Sequence, residues 1–498
     1  MARRGEAGLG LARQGTAGLV RLGRARRGME RRGLSVTYSG GTMKTYEDFI
    51  ESKSQLDGDH GFDPIEMPDW LFDYQQHLVD WACRKGRAAI FADCGMGKTP
   101  MQLVWAENVR RHTGKPVLIC TPLAVNYQTV AEAERFGIEA ARSADGSITS
   151  GIVVTNYERL HHFDCDDFGG VVCDESSILK NFDGSTKALV TEFMRTIRYR
   201  LLCTATAAPN DYHELGTSSE ALGYLGYQDM LSRFFKEDII KDYLGWGRKA
   251  YRFRGHAEDP FWRWVCSWAR ACRKPSDLGY DDGKLQLPAL IEKEVVVRSS
   301  KLREGMLFSL PAATLQEQRE ERRISLQDRC EHAARLIEKT KGSAVAWCHL
   351  NDEADTLERL LPDCKQVSGS QREEEKEEIL LAFQKGQIKR LVTKPKIGCF
   401  GLNWQHCQNV VMFASHSWEQ YYQAVRRCWR FGQKKPVSVS VIATEGEIGV
   451  LANLRRKASA ADRMFESLVK HMSDAMDVDS KRTFGQKEEV PSWLFQTK

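Results

Sequence analysis

The sequence predicts an α/β protein built on two doubly wound parallel sheets. From Met43 onward, short runs of β-branched and apolar residues alternate with longer helical patterns, and this alternation is typical of βαβ units. The runs fall into two sets, separated by a long stretch with few of them. At 498 residues the chain also exceeds the roughly 250 to 300 residues at which one hydrophobic core stops growing. We therefore expect at least two domains.

Each run in the two sets is a candidate strand. The first set comprises residues 88–92, 116–120, 151–155, 170–173 and 200–203, and the second comprises residues 344–349, 390–393, 409–413 and 437–443. Because helical patterns lie between successive runs, parallel pairing through crossover helices is the expected connection. The two sets then predict two tandem α/β lobes.

The stretch between the lobes has a different pattern. Residues 211 to about 340 contain no comparable strand series apart from 291–297, so we predict a mainly helical segment that ends in a charged helix over 316–341. Aromatic and basic side chains alternate in its middle. They either build a surface that stacks on bases and grips phosphates, or the tryptophans form the core of a helical insertion. The residues concerned are Trp246, Tyr251, Phe253, Phe261, Trp262, Trp264 and Trp268, with Arg248, Lys249, Arg252, Arg254, Arg263, Arg270, Arg273 and Lys274.

The positive net charge comes from the first 42 residues. The whole chain carries +5, but the nine arginines and two glutamates of residues 1–42 leave −2 for the remainder. Bulk charge therefore indicates no partner for the folded part. Three interpretations of this Gly/Ala/Arg-rich tail stay open: an upstream stretch translated from a mis-set start codon, a disordered basic arm that binds nucleic acid, and a targeting segment.

Composition excludes several other classes of protein. The 14 cysteines are scattered, without a CxxC pair or a Cys/His cluster of zinc spacing, which favours a reducing, intracellular compartment. No run of 18 apolar residues occurs, so no transmembrane helix is expected. The expected domains are a tail (1–42), a first lobe (43–225), an insertion and linker (226–320), a second lobe (321–446), and a C-terminal helix and tail (447–498).

The segment ADCGMGKT, residues 92–99, predicts a phosphate-binding loop. It follows the first candidate strand, and its glycines allow backbone N–H groups to surround an anion at the start of a helix. Lys98 would bind the β- and γ-phosphates of ATP, and the hydroxyl of Thr99 would bind Mg²⁺. Gly95, Met96 and Gly97 complete the predicted loop. A strict P-loop begins with glycine where this chain has Ala92, so a coincidental Gly-rich turn is the alternative.

Two acidic residues supply the other half of the predicted ATP site. Asp174 and Glu175 follow the apolar run 170–173, and ligands of α/β sheets bind at the carboxyl ends of strands. Asp174 would hold Mg²⁺, and Glu175 would orient and deprotonate the attacking water. The alternative is a pair of solvated surface acids.

With these motifs in order, the chain resembles the superfamily 2 helicases, in particular the Swi/Snf-like branch and its short phage and prophage forms. The resemblance covers most of residues 67–445, with DESS at 174–177 in place of the DEAH tetrad. It implies two RecA-like lobes and a Q motif in which Gln75 reads the adenine base. It also implies nucleic-acid contact or coupling segments in the first lobe at Thr121, Thr155, Asn156, Thr204 and Thr206.

The second lobe carries the remaining motifs of this resemblance. TKPKIGCFGLN, residues 393–403, is similar to the loop that meets nucleic acid and the interlobe cleft, with Thr393, Gly398, Gly401 and Asn403 at the matching places. QAVRRCWRFGQ, residues 423–433, resembles the arginine-finger helix and matches Gln423, Arg427 and Arg430. On a helix these three would share one face. The alternative is a solvated basic face or a contact to the phosphate backbone.

The resemblance implies an ATP-dependent DNA helicase or translocase with ATP and Mg²⁺ as cofactors, duplex DNA as the preferred partner, and a place in the cytoplasm of a bacterial or phage-infected cell. The preference for DNA comes from the resemblance alone. Two other functions stay open, namely an RNA helicase and a nucleotide-dependent nucleic-acid-binding scaffold without turnover. Arg426 and Trp429 depart from the acidic residue and histidine of the chromatin-remodelling relatives.

Overall fold

The structure is a computed structural model, and it describes residues 60–180, 184–241, 247–301, 303, 310–312, 314–398 and 403–485. All of these belong to one compact unit of the chain, Gln55–Lys498. The predicted tail, Trp246 and Gly401 lie outside the described residues. The five-part division into domains stays a prediction.

The first sheet has seven strands, and every neighbouring pair in it is parallel. Its order is β3-β4-β2-β5-β6-β1-β9. The strands are β1 (Arg87–Ala92), β2 (Val117–Thr121), β3 (Ala141–Arg142), β4 (Ile152–Asn156), β5 (Gly170–Asp174), β6 (Tyr199–Cys203) and β9 (Ala269–Cys272). The five predicted strands of the first set are therefore confirmed. Their near-continuous apolar runs are buried, as expected for a sheet covered on both faces.

Helices cover this sheet and connect its strands. They are α1 (Asp73–Lys85), α2 (Lys98–Thr113), α3 (Asn126–Arg135), α4 (Ser185–Thr196), α5 (Leu215–Leu222), α6 (Tyr227–Phe234) and α7 (Glu258–Trp268). The central helix, α2, follows β1 directly and buries Met101, Leu103, Val104 and Trp105. The sheet and its helices share one hydrophobic core.

The second sheet has six parallel strands in the order β10-β15-β14-β11-β13-β12. The strands are β10 (Leu290–Val297), β11 (Ala344–Trp347), β12 (Cys364–Val367), β13 (Arg390–Thr393), β14 (Asn409–Phe413) and β15 (Val437–Thr444). The helices are α8 (Leu315–Ile324), α9 (Leu326–Glu338), α10 (Asn351–Leu360), α11 (Glu373–Gln384), α12 (Pro395–Gly398), α13 (Trp418–Cys428) and α14 (Ile448–Gly485). The predicted α/β class with two parallel sheets is confirmed.

The segment between the sheets contains more strand than its pattern predicted. Strands β7 (Phe235–Lys241) and β8 (Gly247–Phe253) form an antiparallel hairpin, and β9 extends the first sheet at the edge of β1. Sequence patterning missed β9 because its four residues, ARAC, include no β-branched, leucine or aromatic side chain. The guanidinium of Arg270 in this strand stacks on Trp81, 4.4 Å from the ring centroid.

The tryptophans of this segment belong to the first core. Trp262, Trp264 and Trp268 of α7 are buried there together with Phe261. Neither predicted interpretation is therefore correct for α7, because these rings form neither an exposed stacking surface nor a separate core. The reason is that β9 pairs with β1, which brings α7 onto the first sheet.

The charged helix predicted over 316–341 is divided. The structure has two helices, α8 and α9, with Ser325 between them. The hydroxyl of Ser325 donates to the carbonyl oxygen of Glu321 at 2.5 Å, and a serine that bonds back in this way competes with regular helix geometry.

The last helix connects the two cores. Val450, Leu451 and Leu454 at the start of α14 pack in the core of the second sheet, whereas Phe465 and Leu468 pack in the core of the first. Among the described residues, no helix has both the length and the apolar character needed to cross a membrane.

Candidate nucleotide site between the two sheets

The predicted phosphate-binding loop lies between β1 and α2. Gly95 and Gly97 have φ values of 90° and 75°, in the left-handed region that favours glycine. A Cβ on Gly97 would lie 2.1 Å from Nε2 of Gln75, so a side chain there would displace the Gln75 amide. The strand, the loop and the start of the helix therefore have the geometry that the sequence predicted.

This loop fits a phosphate group. Its last residue, Gly97, is the N-cap of α2 and brings no capping side chain, and the first turn of that helix has no acidic residue. The backbone N–H groups at a helix start need acceptors, and the helix dipole favours an anion there. The ammonium of Lys98 lies within the loop and donates to the carbonyl oxygens of Ala92 at 2.9 Å and Asp93 at 3.2 Å.

Gln75 holds the phosphate-binding loop in place through hydrogen bonds. Its Nε2 donates to the carbonyl oxygen of Met96 at 3.0 Å, and its Oε1 accepts from the backbone N–H of Phe72 at 3.1 Å. The hydroxyl of Tyr74 donates to the same Met96 oxygen at 2.9 Å. Gln75 is buried, so in this structure its amide connects the start of α1 to the phosphate-binding loop. Its role in reading adenine stays a prediction.

Asp174 ends β5 beside the loop. Its Oδ1 accepts from Nε2 of Gln102 at 2.7 Å, and Gln102 lies on α2 one turn after Lys98. Burial raises the pKa of Asp174 to about 6; the Gln102 hydrogen bond opposes that rise, and the neighbouring charge of Glu175 adds to it. A carboxylate held at this place can serve as the Mg²⁺ ligand that the sequence predicts, together with Thr99 in the first turn of α2.

Glu175 has the strained backbone of a functional residue. Its φ of 55° makes it the one non-glycine residue in the left-handed region among those the structure describes. Its Oε1 accepts from the hydroxyls of Thr204 at 2.7 Å, Ser177 at 2.9 Å and Thr206 at 3.4 Å. The structure thus brings two predicted coupling residues, Thr204 and Thr206, onto the predicted catalytic acid.

The predicted arginine helix is shorter than expected. Helix α13 ends at Cys428, and Trp429 has φ −96° and ψ 83°, so Arg430 lies beyond the helix. The prediction that these residues share one face of a helix therefore holds for Gln423 and Arg427 but is wrong for Arg430. The physical reason is that Gln433 turns the chain by donating from Nε2 to the carbonyl oxygens of Cys428 and Cys407, both at 3.1 Å.

This arginine segment nevertheless contacts the phosphate-binding loop. A Cβ on Gly95 would lie 3.1 Å from the backbone nitrogen of Phe431 and 3.6 Å from Cβ of Arg430. Burial and, to a smaller extent, the nearby charge of Arg427 together lower the pKa of Arg430 to about 10. The two halves of the predicted site are therefore adjacent, and a side chain at Gly95 would press on the segment that follows α13.

Two residues of α13 that the sequence analysis did not assign make the most direct contact with the loop. Arg426 forms a buried ion pair with Asp93, and the hydroxyl of Tyr422 donates to the same carboxylate. Lys180 and Glu419 form a second ion pair between the two sheet units, each of which is one of the two sheets together with the helices that cover it. No local pattern could have identified these partners, because they are hundreds of residues apart in sequence.

A cavity of about 990 Å³ opens beside these contacts. On one side it is lined by Asp93, Cys94, Gly95 and Met96 of the loop, and on the other by side chains of α13 such as Trp418, Tyr422 and Arg426. Lys98, Asp174 and Glu175 are not among its lining residues. The cavity therefore lies next to the predicted phosphate position.

The residues predicted to contact nucleic acid differ in exposure. Thr121, Thr155 and Thr393 are fully buried, and their hydroxyls bond to Asn126 Oδ1, Ser143 O and Val367 O, respectively. Asn156 is also buried, whereas Asn403 is half-buried and Gly398 ends α12. The predicted role of Gly401 cannot be placed, because that residue lies outside the described part of the chain. These contacts stay predictions.

Residues 328–432 match the family model of the helicase conserved C-terminal domain. This part of the chain is similar to the helicase C-terminal domain. It comprises β11 to β14 and α13, and so includes Gln423, Arg427 and Arg430. The match confirms the resemblance to helicases that the motifs predicted, and it supports a nucleotide-using, helicase-type ATPase as the class of protein.

Two further proteins are similar to this chain. "Putative protein p41" of Acyrthosiphon pisum secondary endosymbiont phage 1 is 24% identical over 464 aligned residues, which cover 79% of this chain and 98% of the relative. The solved structure of the Sulfolobus solfataricus SWI2/SNF2 ATPase core in complex with dsDNA aligns with a TM-score of 0.39 and 17% identity, covering 82% of this chain and 96% of that one. The phage relative agrees with the predicted phage or prophage kind.

Proposed function

We propose that the protein is a DNA-stimulated ATPase that couples ATP hydrolysis to movement along DNA. The observation that supports this proposal is the contact between the phosphate-binding loop and the arginine segment. The loop with Lys98 and the acids Asp174 and Glu175 come from the first sheet unit, and Arg427 and Arg430 come from the helicase C-terminal domain. The choice of DNA over RNA rests on the resemblance of the motifs to the Swi/Snf-like branch.

The residues of the first unit would bind the triphosphate and prepare the attacking water. The start of α2 and Lys98 bind the phosphates, and Glu175 takes a proton from the water, with its carboxylate oriented by Thr204 and Ser177. When bound between Thr99 and Asp174, Mg²⁺ would neutralise charge on the β- and γ-phosphates.

The residues of the second unit would stabilise the charge that develops on the transferred phosphoryl group. In phosphoryl-transfer enzymes, an arginine supplied from outside the phosphate-binding unit raises kcat by about 10³- to 10⁵-fold. Because Arg427 and Arg430 lie on a different sheet unit from Lys98, their contribution depends on how closely the two units approach. Hydrolysis and relative movement of the units are thereby coupled, and a grip by both units on one DNA would convert that movement into steps.

The test is a comparison of ATP hydrolysis with no polymer, single-stranded DNA, duplex DNA and RNA. We expect duplex DNA to stimulate hydrolysis most, and Lys98→Ala and Glu175→Gln to abolish it. Lys115→Ala is the matched control, since Lys115 is exposed just beyond the far end of α2. This variant should hydrolyse ATP at the wild-type rate. Stimulation by RNA alone would indicate an RNA helicase, and ATP binding without turnover under any condition would indicate a scaffold.

A further inference from the structure

Asp93 connects the phosphate-binding loop to the arginine segment. Its backbone carbonyl accepts from Lys98 at 3.2 Å, and its carboxylate accepts from its neighbour's N–H, that of Cys94, at 2.5 Å. The same carboxylate pairs with Arg426 and accepts from the hydroxyl of Tyr422. One residue of the loop is thus in contact with the catalytic lysine of its own unit and with two side chains of α13.

This contact is buried, which makes its geometry demanding. The side chains of Arg426 and Asp93 are 7% and 2% exposed, respectively. A charged pair removed from water is stable only when each partner is well satisfied. The guanidinium of Arg426 also lies over two aromatic rings, with its Cζ 4.2 Å from the ring centroid of Trp429 and 5.1 Å from that of Tyr422. Burial opposes the charged form of Arg426, but the carboxylate of Asp93 outweighs it and raises the pKa of Arg426 above its usual value.

The contact determines where α13 lies relative to the phosphate-binding loop, because the rotation of the helix is already set by its apolar face, which packs on the second core. Tyr422 and Arg426 are four residues apart and share one face of the helix, whereas Gln423 and Arg427 form the next row, about 100° around the axis. Holding the first row on Asp93 therefore fixes how close the second row comes to the loop. Arg430 follows within one turn of the end of the helix, so its position depends on the same anchor.

The geometry points to Asp93, Tyr422 and Arg426 as positioning residues that aim Arg427 and Arg430 at the phosphate bound by Lys98. They act through the two arginines and do not themselves touch the reacting atoms. This inference rests on the proposed ATP hydrolysis and extends it, because it assigns a function to Arg426, one of the two residues at which the sequence departs from the chromatin-remodelling members of the family that it resembles. It also makes the phosphate-binding loop itself the surface that receives the arginine helix.

The first experiment separates positioning from binding in steady-state ATP hydrolysis with saturating DNA. We expect Arg426→Gln and Asp93→Asn to lower kcat by about tenfold or more while KM for ATP changes by less than about threefold, because transition-state contacts are lost and ground-state binding is not. Arg426→Lys should recover part of kcat. Tyr422→Phe removes only a hydroxyl and should lower kcat by a smaller factor, and it keeps the test valid if the charge variants fold poorly.

A matched control is available in the second sheet unit. Arg390 pairs with Asp363 at 2.6 Å on the surface of that unit, so Arg390→Gln removes an Arg–Asp pair without touching the loop. It should hydrolyse ATP at the wild-type rate. If Tyr422→Phe and Arg426→Gln did the same while folded, the positioning role would be disproved and the proposed ATPase would stand.

The decisive measurement adds Arg426→Gln to a variant that already carries Arg427→Ala and Arg430→Ala. If Arg426 acts by aiming Arg427 and Arg430, the triple variant should be little slower than the double variant, because both arginines that it aims have been removed. Independent losses that multiply would instead show a general structural role and overturn the inference. A wild-type protein that hydrolyses no ATP with any polymer would contradict the proposed function itself, an outcome distinct from both.

Discussion

At the scale of single residues, Asp174 makes the proposed activity dependent on pH. Burial raises its pKa to about 6, and a protonated carboxyl is a poor Mg²⁺ ligand. We expect kcat/KM for ATP with Mg²⁺ to fall as the pH drops below about 6. Gln102→Leu should move this fall to higher pH, because the Gln102 hydrogen bond lowers the pKa of Asp174. A profile that does not move would contradict the assignment of Asp174.

The same residue gives a prediction for stability without metal. Because the pKa of Asp174 is higher in the folded protein than in the unfolded chain, the folded state binds the proton more tightly. Its contribution to the free energy of unfolding is therefore complete at about pH 4 and is lost as the pH rises through about 6. Asp174→Asn should abolish that part of the pH dependence, which urea titrations at pH 4 to 7 can measure.

A substitution at Gly97 tests the role of the phosphate-binding loop in ATP binding. Gly97→Ala would place a side chain at φ 75°, which costs about 1 to 2 kcal/mol, and would bring its Cβ 2.1 Å from Gln75. We expect both lower stability and loss of ATP binding in a fluorescent-nucleotide titration. Gly114→Ala is the matched control, since Gly114 has φ 68° at the other end of α2 and open space around it. It should lose similar stability and still bind ATP.

At the scale of secondary-structure elements, the sequence predicts strands of mainly large apolar residues well and strands of small or charged residues poorly. All nine predicted runs are strands, and each contains at least two valine, isoleucine, leucine or aromatic residues. The two-residue β3 and the strand β9, whose residues are ARAC, contain none and carry too little pattern to be recognised. Strand β9 exists because β1 offers a free edge, and such tertiary pairing overrides local preference.

The residues of the candidate site also divide into those that the sequence predicts and those that it does not. Lys98, Asp174 and Glu175 were predictable because a strand, a glycine-rich turn and a following acid are local patterns. The pairing of Asp93 with Arg426 was not, since the two residues are 333 positions apart and only the packing of two sheet units brings them together. The position of Arg430 beyond α13 depends likewise on tertiary hydrogen bonds from Gln433.

The end of α13 makes Arg430 a test of the arginine assignment. Arg430→Ala should lower kcat by about 10³-fold, in the range for arginines supplied from another unit, while leaving the Kd for ATP nearly unchanged. Rapid-quench hydrolysis and equilibrium nucleotide binding measure the two quantities. Lys434→Ala removes an exposed charge four residues further along and serves as the control. A variant at position 430 with normal turnover would remove Arg430 from the proposed site.

At the scale of the whole molecule, α14 ties the two sheet units together. It begins on the second core with Val450 and Leu451 and reaches the first core with Phe465. Arg273 of the first unit holds this end, with an ion pair to Asp462 at 2.8 Å and its guanidinium 4.3 Å from the ring centroid of Phe465. Since a helix is stiff along its axis, this connection limits how far the units can separate.

Phe465→Ala tests this connection. Removing a buried phenylalanine side chain costs about 3 to 5 kcal/mol, and here the loss falls where α14 meets the first core. We expect the single urea-unfolding transition to separate into two, because the second unit loses its attachment to the first. Val450→Ala is the control, since Val450 is equally buried but contacts only the second core. If Phe465→Ala lowered stability but kept one cooperative transition, α14 would not be the connection that couples the units, and the contacts of α13 with the phosphate-binding loop would couple them instead.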